Sequence, residues 1–181
     1  MAAPAPFRTG PRLERLLQAD HDYSARLRYA EKPGRLRRLA IFLAHSGDSW
    51  FWGLGLAATW LFSGPAGKTF AVRLVLGIAG MAVLVLLVKR VFRRRRPAGE
   101  WGGIYRRTDP HSFPSGHAAR MAMLAVLALA LGPAWLGWLL LAWAPLVALA
   151  RVAMGVHYLS DVVGGAALCV AGGAILAFVW R

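Results

Sequence analysis

Residues 70–91 read FAVRLVLGIAGMAVLVLLVKRV, a run in which only Arg73, Lys89 and Arg90 are charged. A helix needs about 20 mostly apolar residues to cross the hydrocarbon core of a bilayer, so this stretch reads as a membrane span with a basic exit. Four further apolar runs surround it, at about 39–63, 117–132, 134–150 and 159–180, the second and third of these short for a full crossing. Gly64-Pro65-Ala66-Gly67 and Gly132-Pro133 supply turns between runs. The expected fold class is all-α: a multi-pass transmembrane helical bundle of five spans, with a sixth helix ahead of them. Asp48, after Ser46-Gly47, interrupts the first run. It is read as an N-cap that divides the run into an interfacial piece and a span, in preference to a buried polar contact.

Residues 1–38 form a basic segment punctuated by Pro4, Pro6, Pro11 and Pro33. Leu13, Leu16, Leu17 and Leu27 make a loose helical stripe, which suits a helix lying on the membrane. Residues 39–181 are then the membrane-embedded domain. Trp50, Trp52, Trp60, Trp135, Trp138, Trp143 and Trp180 fall mostly near span ends, where amphipathic rings settle. The pairs Gly164-Gly165 and Gly172-Gly173 would let the last helix pack closely on a neighbour. No repeat and no cleavable signal sequence is recognised.

Composition agrees. Apolar residues are 57% of the 181 positions, mean hydropathy is +0.47, and 22 Lys and Arg face eight acids for a formal charge of +14. Hydrophobic and strongly basic together point to anionic head groups or phosphorylated substrates. No zinc-finger or RNA-binding signature accompanies the basicity, so nucleic acid is not an expected partner. The single Cys169 excludes a disulfide scaffold or a cysteine metal site.

Three stretches carry chemistry. In Lys89–Pro97 (KRVFRRRRP), Lys89 and Arg96 are two helical turns apart, placing both, with Phe92 and Arg93, on one face until Pro97 stops the helix. In Pro114–His117 (PSGH), Ser115 is an N-cap candidate, free N–H groups at a helix start attract anions, and Gly116 admits a ligand close to the backbone. In Arg151–Asp161 (RVAMGVHYLSD), a helix starting near residue 156 would set His157 and Asp161 at i and i+4, the carboxylate orienting the imidazole. Between the first two, Arg106, Arg107 and Asp109 read as a solvated loop able to touch a head group, and His111 as a rim residue. Arg120, at i+3 from His117, is a candidate support for it; His21 and His45 have no supporting context.

The combined pattern, Lys-x6-Arg-Pro, Pro-Ser-Gly-His and Arg-x5-His-x3-Asp, resembles the type 2 phosphatidic acid phosphatase (PAP2) superfamily, over roughly residues 39–180 and with the motifs in family order. One position departs: Ala150 stands where the family usually has Ser. The resemblance implies that His157 is the nucleophile, that Asp161 orients it, and that His117 protonates the leaving group and then activates water. It implies that Lys89, Arg96, Arg151, Ser115 and Gly116 hold the phosphate oxygens. No cofactor is expected, and no carboxylate cluster suited to Mg²⁺ is seen, so metal-independent turnover is the expectation. The substrate class is a phosphorylated membrane lipid, with an isoprenyl diphosphate or a phosphatidyl phosphate first. A non-enzymatic lipid-phosphate binding or transport protein is the alternative, and a haloperoxidase is disfavoured by the apolar runs. A prokaryotic cell membrane is the expected location. With five spans, 19 of the 22 basic residues fall on the motif side, which the positive-inside rule places in the cytoplasm. Six helices would reverse that, as in many bacterial relatives.

Overall fold

The computed structural model describes residues 10–105 and 108–181. Pro4, Pro6, Arg106 and Arg107 lie outside the described residues. Among the described residues eight helices follow in order: α1 Pro11–Arg26, α2 Arg35–His45, α3 Ser49–Phe62, α4 Pro65–Phe92, α5 Glu100–Tyr105, α6 Gly116–Leu131, α7 Ala134–Ala153 and α8 Leu159–Val179. A single 3₁₀ turn, Tyr29–Glu31, links α1 to α2. No strand is present among the described residues, where one isolated bridge joins Arg95 to His111.

Among the described residues, three of the five expected spans, α4, α7 and α8, are helices long and apolar enough to cross a membrane, and α6 is a shorter apolar helix. The run at 39–63 breaks at Ser46-Gly47-Asp48 into α2 and α3, of 11 and 14 residues. The run at 117–132 gives only the 16 residues of α6. Asp48 does occupy the N-cap position of α3, with extended backbone, but its carboxylate makes no capping bond. It is used elsewhere.

The bundle is organised around α6, which packs on α4, α7 and α8. Ala118, Ala119, Ala122, Ala125 and Ala128 are buried along it, and Met121, Met123, Leu124 and Leu127 fill the space between its neighbours. Small side chains let helix backbones approach, and the flexible thioethers fill the gaps that result. The outward face of α4 is apolar as well: Val72, Val75, Leu76, Val83, Leu84, Leu86 and Leu87 are all exposed. A helix apolar all round belongs in a core or a bilayer.

Both glycine pairs of α8 sit at close approaches. A β-carbon at Gly165 would lie 2.5 Å from the carbonyl oxygen of Ser115, and one at Gly173 would lie 3.1 Å from Met123 Sδ. The first contact brings the start of α6 onto α8, where Ser115 N–H donates to the Asp161 carbonyl at 2.9 Å.

Helix α1 lies across the start of α8. Ser24 Oγ accepts the Leu159 N–H at 2.9 Å, and Asp20 Oδ1 accepts the Ser160 N–H at 2.9 Å. These are first-turn donors that have no partner within their own helix, so a segment more than 130 residues upstream caps α8.

Substituting Gly165→Ala should lower stability by about 1–3 kcal/mol, because the obstructing atom is backbone. Gly80→Ala, where nothing lies within 4 Å, should be neutral or gain up to ~1 kcal/mol. Thermal unfolding of both variants in detergent checks the pair.

Candidate active site

The three motifs meet at one end of the bundle, around a cavity of about 300 Å³. Lys89, Arg96, Gly116, His117, Arg120, Arg151 and His157 line it, with Tyr105, Thr108 and Asp109 from the intervening loop. Its other wall is apolar, formed by Ile78, Met81, Ala82, Val85 and Leu86 of α4.

The first motif reaches the site by a route that helical spacing did not foretell. α4 ends at Phe92, and Arg93 adopts a left-handed conformation with φ 47°. Arg94, Arg95 and Arg96 therefore run back beside the bundle, and Lys89 and Arg96 do not share a helical face. The Arg95–His111 bridge and the bond from Ser112 N–H to the Arg94 carbonyl, 2.8 Å, hold this return in place. Lys89 and Arg96 converge on Asp109, whose Oδ2 accepts from Lys89 Nζ and, at 2.7 Å, from Arg96 Nη2. Lys89 Nζ also donates to the carbonyl of His111 at 3.0 Å, so this residue contributes main chain. Burial by itself would raise the Asp109 carboxyl, but the Lys89 hydrogen bond and the charges of Lys89 and Arg96 hold it below the usual carboxylate range. Asp109 is thus part of the site, not a solvated loop residue.

The third motif is likewise placed by a turn. α8 starts at Leu159, so His157 precedes the helix and the i, i+4 helical spacing does not apply. Asp161 Oδ2 accepts the Tyr158 N–H at 2.8 Å and lies 3.5 Å from His157 Nδ1. Arg94 Nη1 donates to the other oxygen of Asp161 at 2.8 Å, and its Nη2 reaches Asp20 of α1 at 2.6 Å. The guanidinium stacks on the Tyr158 ring, 4.0 Å from its centroid.

His157 Nε2 is 3.1 Å from Arg96 Nη1, which also donates to the Val156 carbonyl at 3.0 Å. A guanidinium can only donate, so Nε2 carries the lone pair and Nδ1 the hydrogen. Burial lowers the pKa of His157 well below the ordinary imidazole value, and the nearby charges of Arg96, Arg151 and Lys89 lower it further. A neutral imidazole presenting Nε2 to the cavity is a nucleophile in its reactive form.

Arg151 is 1% exposed, and among the described residues no carboxylate pairs with it. Its Nη1 donates to Tyr105 Oη at 3.1 Å, its guanidinium lies 4.5 Å from the Tyr105 ring centroid, and its Nε has no partner. Ser115 takes the N-cap position of α6, yet its buried hydroxyl makes no capping bond and has no partner. At Gly116, an added β-carbon would meet only Val85, at 3.9 Å. Packing therefore does not demand glycine, and the space above it belongs to the cavity. Arg151 Nε, a buried donor left without an acceptor among the described residues, suits an oxyanion, whereas Ser115 is not among the residues lining the cavity. Among the described residues, no group of three or more His, Cys, Asp or Glu comes together to hold a metal ion.

His117, on the first turn of α6, donates from Nε2 to Asp48 Oδ1 at 2.7 Å. Arg120, one turn on, donates to the carbonyl of Gly47. Asp48 was read as a cap and His45 as a residue without context, yet both belong to this corner. The local sequence signal was the same for a cap and a buried contact, and only the seating of the α2–α3 turn against α6 and α7 separates them. Asp20 and Arg94 carried no signal, since their pairing spans 74 positions.

Comparison with known proteins shows what the chain is similar to. The chain is 29% identical over 182 residues to a probable lipid phosphate phosphatase beta from Arabidopsis thaliana, covering 84% of each chain. It is 31% identical over 134 residues to an undecaprenyl-diphosphatase from Sulfolobus acidocaldarius, covering 72% of this chain and 64% of that protein. Its fold matches the crystal structure of a transmembrane PAP2 type phosphatidylglycerolphosphate phosphatase from Bacillus subtilis, with TM-score 0.72, 21% identity and 91% and 86% of the two chains covered. It also matches Aquifex aeolicus LpxE, with TM-score 0.66, 24% identity and 97% and 98% covered. The PAP2 superfamily model matches residues 70–181, which hold all three motifs. The chain belongs to the PAP2 superfamily and is a phosphatase.

Proposed function

We propose that this protein removes phosphate from a membrane lipid, an isoprenyl diphosphate or a phosphatidyl-type phosphate, through a covalent phosphohistidine on His157. The observation that carries the proposal is a neutral His157 whose Nε2 faces a cavity walled by Lys89, Arg96 and Arg151 on one side and by the apolar residues of α4 on the other. The relatives named as a lipid phosphate phosphatase and an undecaprenyl-diphosphatase support a lipid substrate.

In this mechanism a phosphate oxygen takes the Arg96 N–H that now points at Nε2. The freed lone pair attacks phosphorus while the bond to the leaving oxygen breaks, and His117 in its imidazolium form gives that oxygen its proton. Asp161 holds the Nδ1–H side of His157 as charge develops on the ring. Water then attacks phosphorus and gives a proton to His117. The N–P bond breaks, its electrons return to Nε2, and inorganic phosphate leaves. Lys89, Arg96, Arg151, the Ser115 hydroxyl and the Gly116 N–H stabilise the equatorial oxygens in both steps. The cations supply electrostatics that a metal supplies elsewhere.

Five crossings account best for the helix order. The α2–α3 break, the end of α4, the starts of α6 and α8 and the end of α7 all meet at the site, so α3, α4, α6, α7 and α8 would each traverse the bilayer. α1 would then lie on the surface beside the site, with Leu13, Leu16 and Leu17 directed into the head groups.

Purified protein in detergent should release phosphate from such lipids in the presence of chelator and be blocked by vanadate. His157→Ala should abolish turnover, and His117→Ala should reduce it by roughly 10²–10⁴-fold. Full activity in His157→Ala would contradict the mechanism. For the membrane arrangement, Arg12→Cys and Ala98→Cys should react with an impermeant reagent from one face of sealed vesicles, and Gly64→Cys and Arg181→Cys from the other. Labelling of residues 12 and 98 from opposite faces would contradict five crossings.

A further inference from the structure

The bond between His117 and Asp48 is the best-defined polar contact of the site that neither motif spacing nor the mechanism above uses. Asp48 Oδ1 accepts from His117 Nε2 at 2.7 Å. Its Oδ2 accepts from His45 Nδ1 at 2.8 Å and from Trp50 Nε1 at 3.1 Å. Both oxygens are therefore engaged, and the carboxylate has little freedom to turn. The turn that carries it is fixed as firmly. Trp143 Nε1 donates to Ser46 Oγ at 2.8 Å, Trp52 Nε1 to the Ser46 carbonyl at 2.9 Å, and Arg120 to the Gly47 carbonyl. A β-carbon at Gly47 would come 2.8 Å from Val147 and 3.2 Å from His117 Cδ2, so the turn sits directly against α7 and the imidazole.

We propose that Asp48 is the positioning residue of His117, so that the site contains two imidazole–carboxylate pairs: His157 with Asp161, and His117 with a carboxylate supplied from the break between α2 and α3. The proposal rests on the assignment of His117 as the acid for the leaving group. An ionised carboxylate can only accept, so Nε2 of His117 carries a hydrogen that Asp48 holds, and Nδ1 is the nitrogen left to work on the substrate. Fixing that tautomer and ring orientation is what a carboxylate behind a catalytic imidazole does.

A proton path from the half-exposed His45 through Asp48 to His117 is the competing role for the same atoms. It would require Asp48 to take up a proton in passing. Burial alone would raise its pKa, but the hydrogen bonds from His117 and His45 outweigh that and hold the carboxyl below the usual range. Asp48 also stands at the N-terminus of α3, where the helix dipole favours negative charge. It stays ionised, and so orients His117 and does not pass protons to it. His45 and Trp50 are then the donors that keep it aimed.

The test uses kcat/KM, which reports only the steps through departure of the leaving group, on two phosphate esters. A lipid alkyl phosphate needs its leaving oxygen protonated, whereas an aryl phosphate such as p-nitrophenyl phosphate does not. Asp48→Asn should lower kcat/KM about 10²-fold on the alkyl ester, several-fold at most on the aryl ester, and leave vanadate affinity unchanged. His117→Ala should show the same split. His45→Ala, at a half-exposed position, should show a smaller split in the same direction and keeps the test open if the Asp48 variant folds poorly. Equal losses on both esters for Asp48→Asn, or for His45→Ala if that is the variant available, would overturn the positioning role if His117→Ala still shows the split. Absence of the split in His117→Ala itself would remove the acid assignment, and this proposal with it.

Discussion

The structure depends on positive charge buried at the edge of an apolar bundle. Lys89, Arg96 and Arg151 are each less than 5% exposed, drawn from the end of α4, the segment after it and the end of α7. Burying unpaired charge is expensive, and real proteins keep such groups only where partners or function offset the cost. Two of the three share the carboxylate of Asp109, and among the described residues Arg151 meets a tyrosine hydroxyl and ring instead of a carboxylate. In the proposed mechanism a phosphate group would supply the negative charge this corner lacks, while burial, aided by the same cations, keeps His157 neutral. Binding and nucleophile activation would then follow from one arrangement.

The remaining contacts hold that arrangement in register. Asp161 is fixed between the Tyr158 N–H and Arg94, and Arg94 is tied to Asp20 on α1. Asp20 and Ser24 satisfy the first donors of α8, so the N-terminal helix is structurally joined to the turn that presents His157. On the opposite side, Gly165 lets the Ser115 backbone come against α8 and brings the second motif to the third. Asp20, Ser24 and Gly165 lie outside the motifs and work with residues inside them. They are what allows the motifs to meet.

The legibility of this chain in its sequence was uneven, for physical reasons. The helical class, the apolar runs and the ten motif positions could be read because hydrophobic length and residue type are local properties. The structure gathers Lys89, Arg96, Gly116, His117, Arg151 and His157 about one cavity, with Asp161 behind His157. Local geometry was harder to foresee. Arg93 ends α4 in a left-handed conformation, and His157 stands before α8 instead of within it, so the residues that both helical-face arguments paired are brought together by another route. Asp48, Asp109, Arg94 and Asp20 were missed because each acts through a partner distant in sequence, for which periodicity gives no sign, and His45 because it bears on the site through Asp48. Likewise, α3 is shorter than the run at 39–63, because Gly47-Asp48 divides that run, whereas α6 keeps the 16-residue length of its run up to Gly132-Pro133.

The claim at the centre of this account is that phosphate passes through a covalent bond to His157 Nε2. Rapid mixing with a lipid phosphate substrate, an alkaline quench that preserves phosphohistidine, and peptide mass spectrometry test it directly. A phosphate on the peptide containing His157, accumulating within one turnover and absent from unreacted protein, is the expected result. Phosphate release in that same turnover with no modified His157 at any time, or with the phosphate on His117, would contradict it.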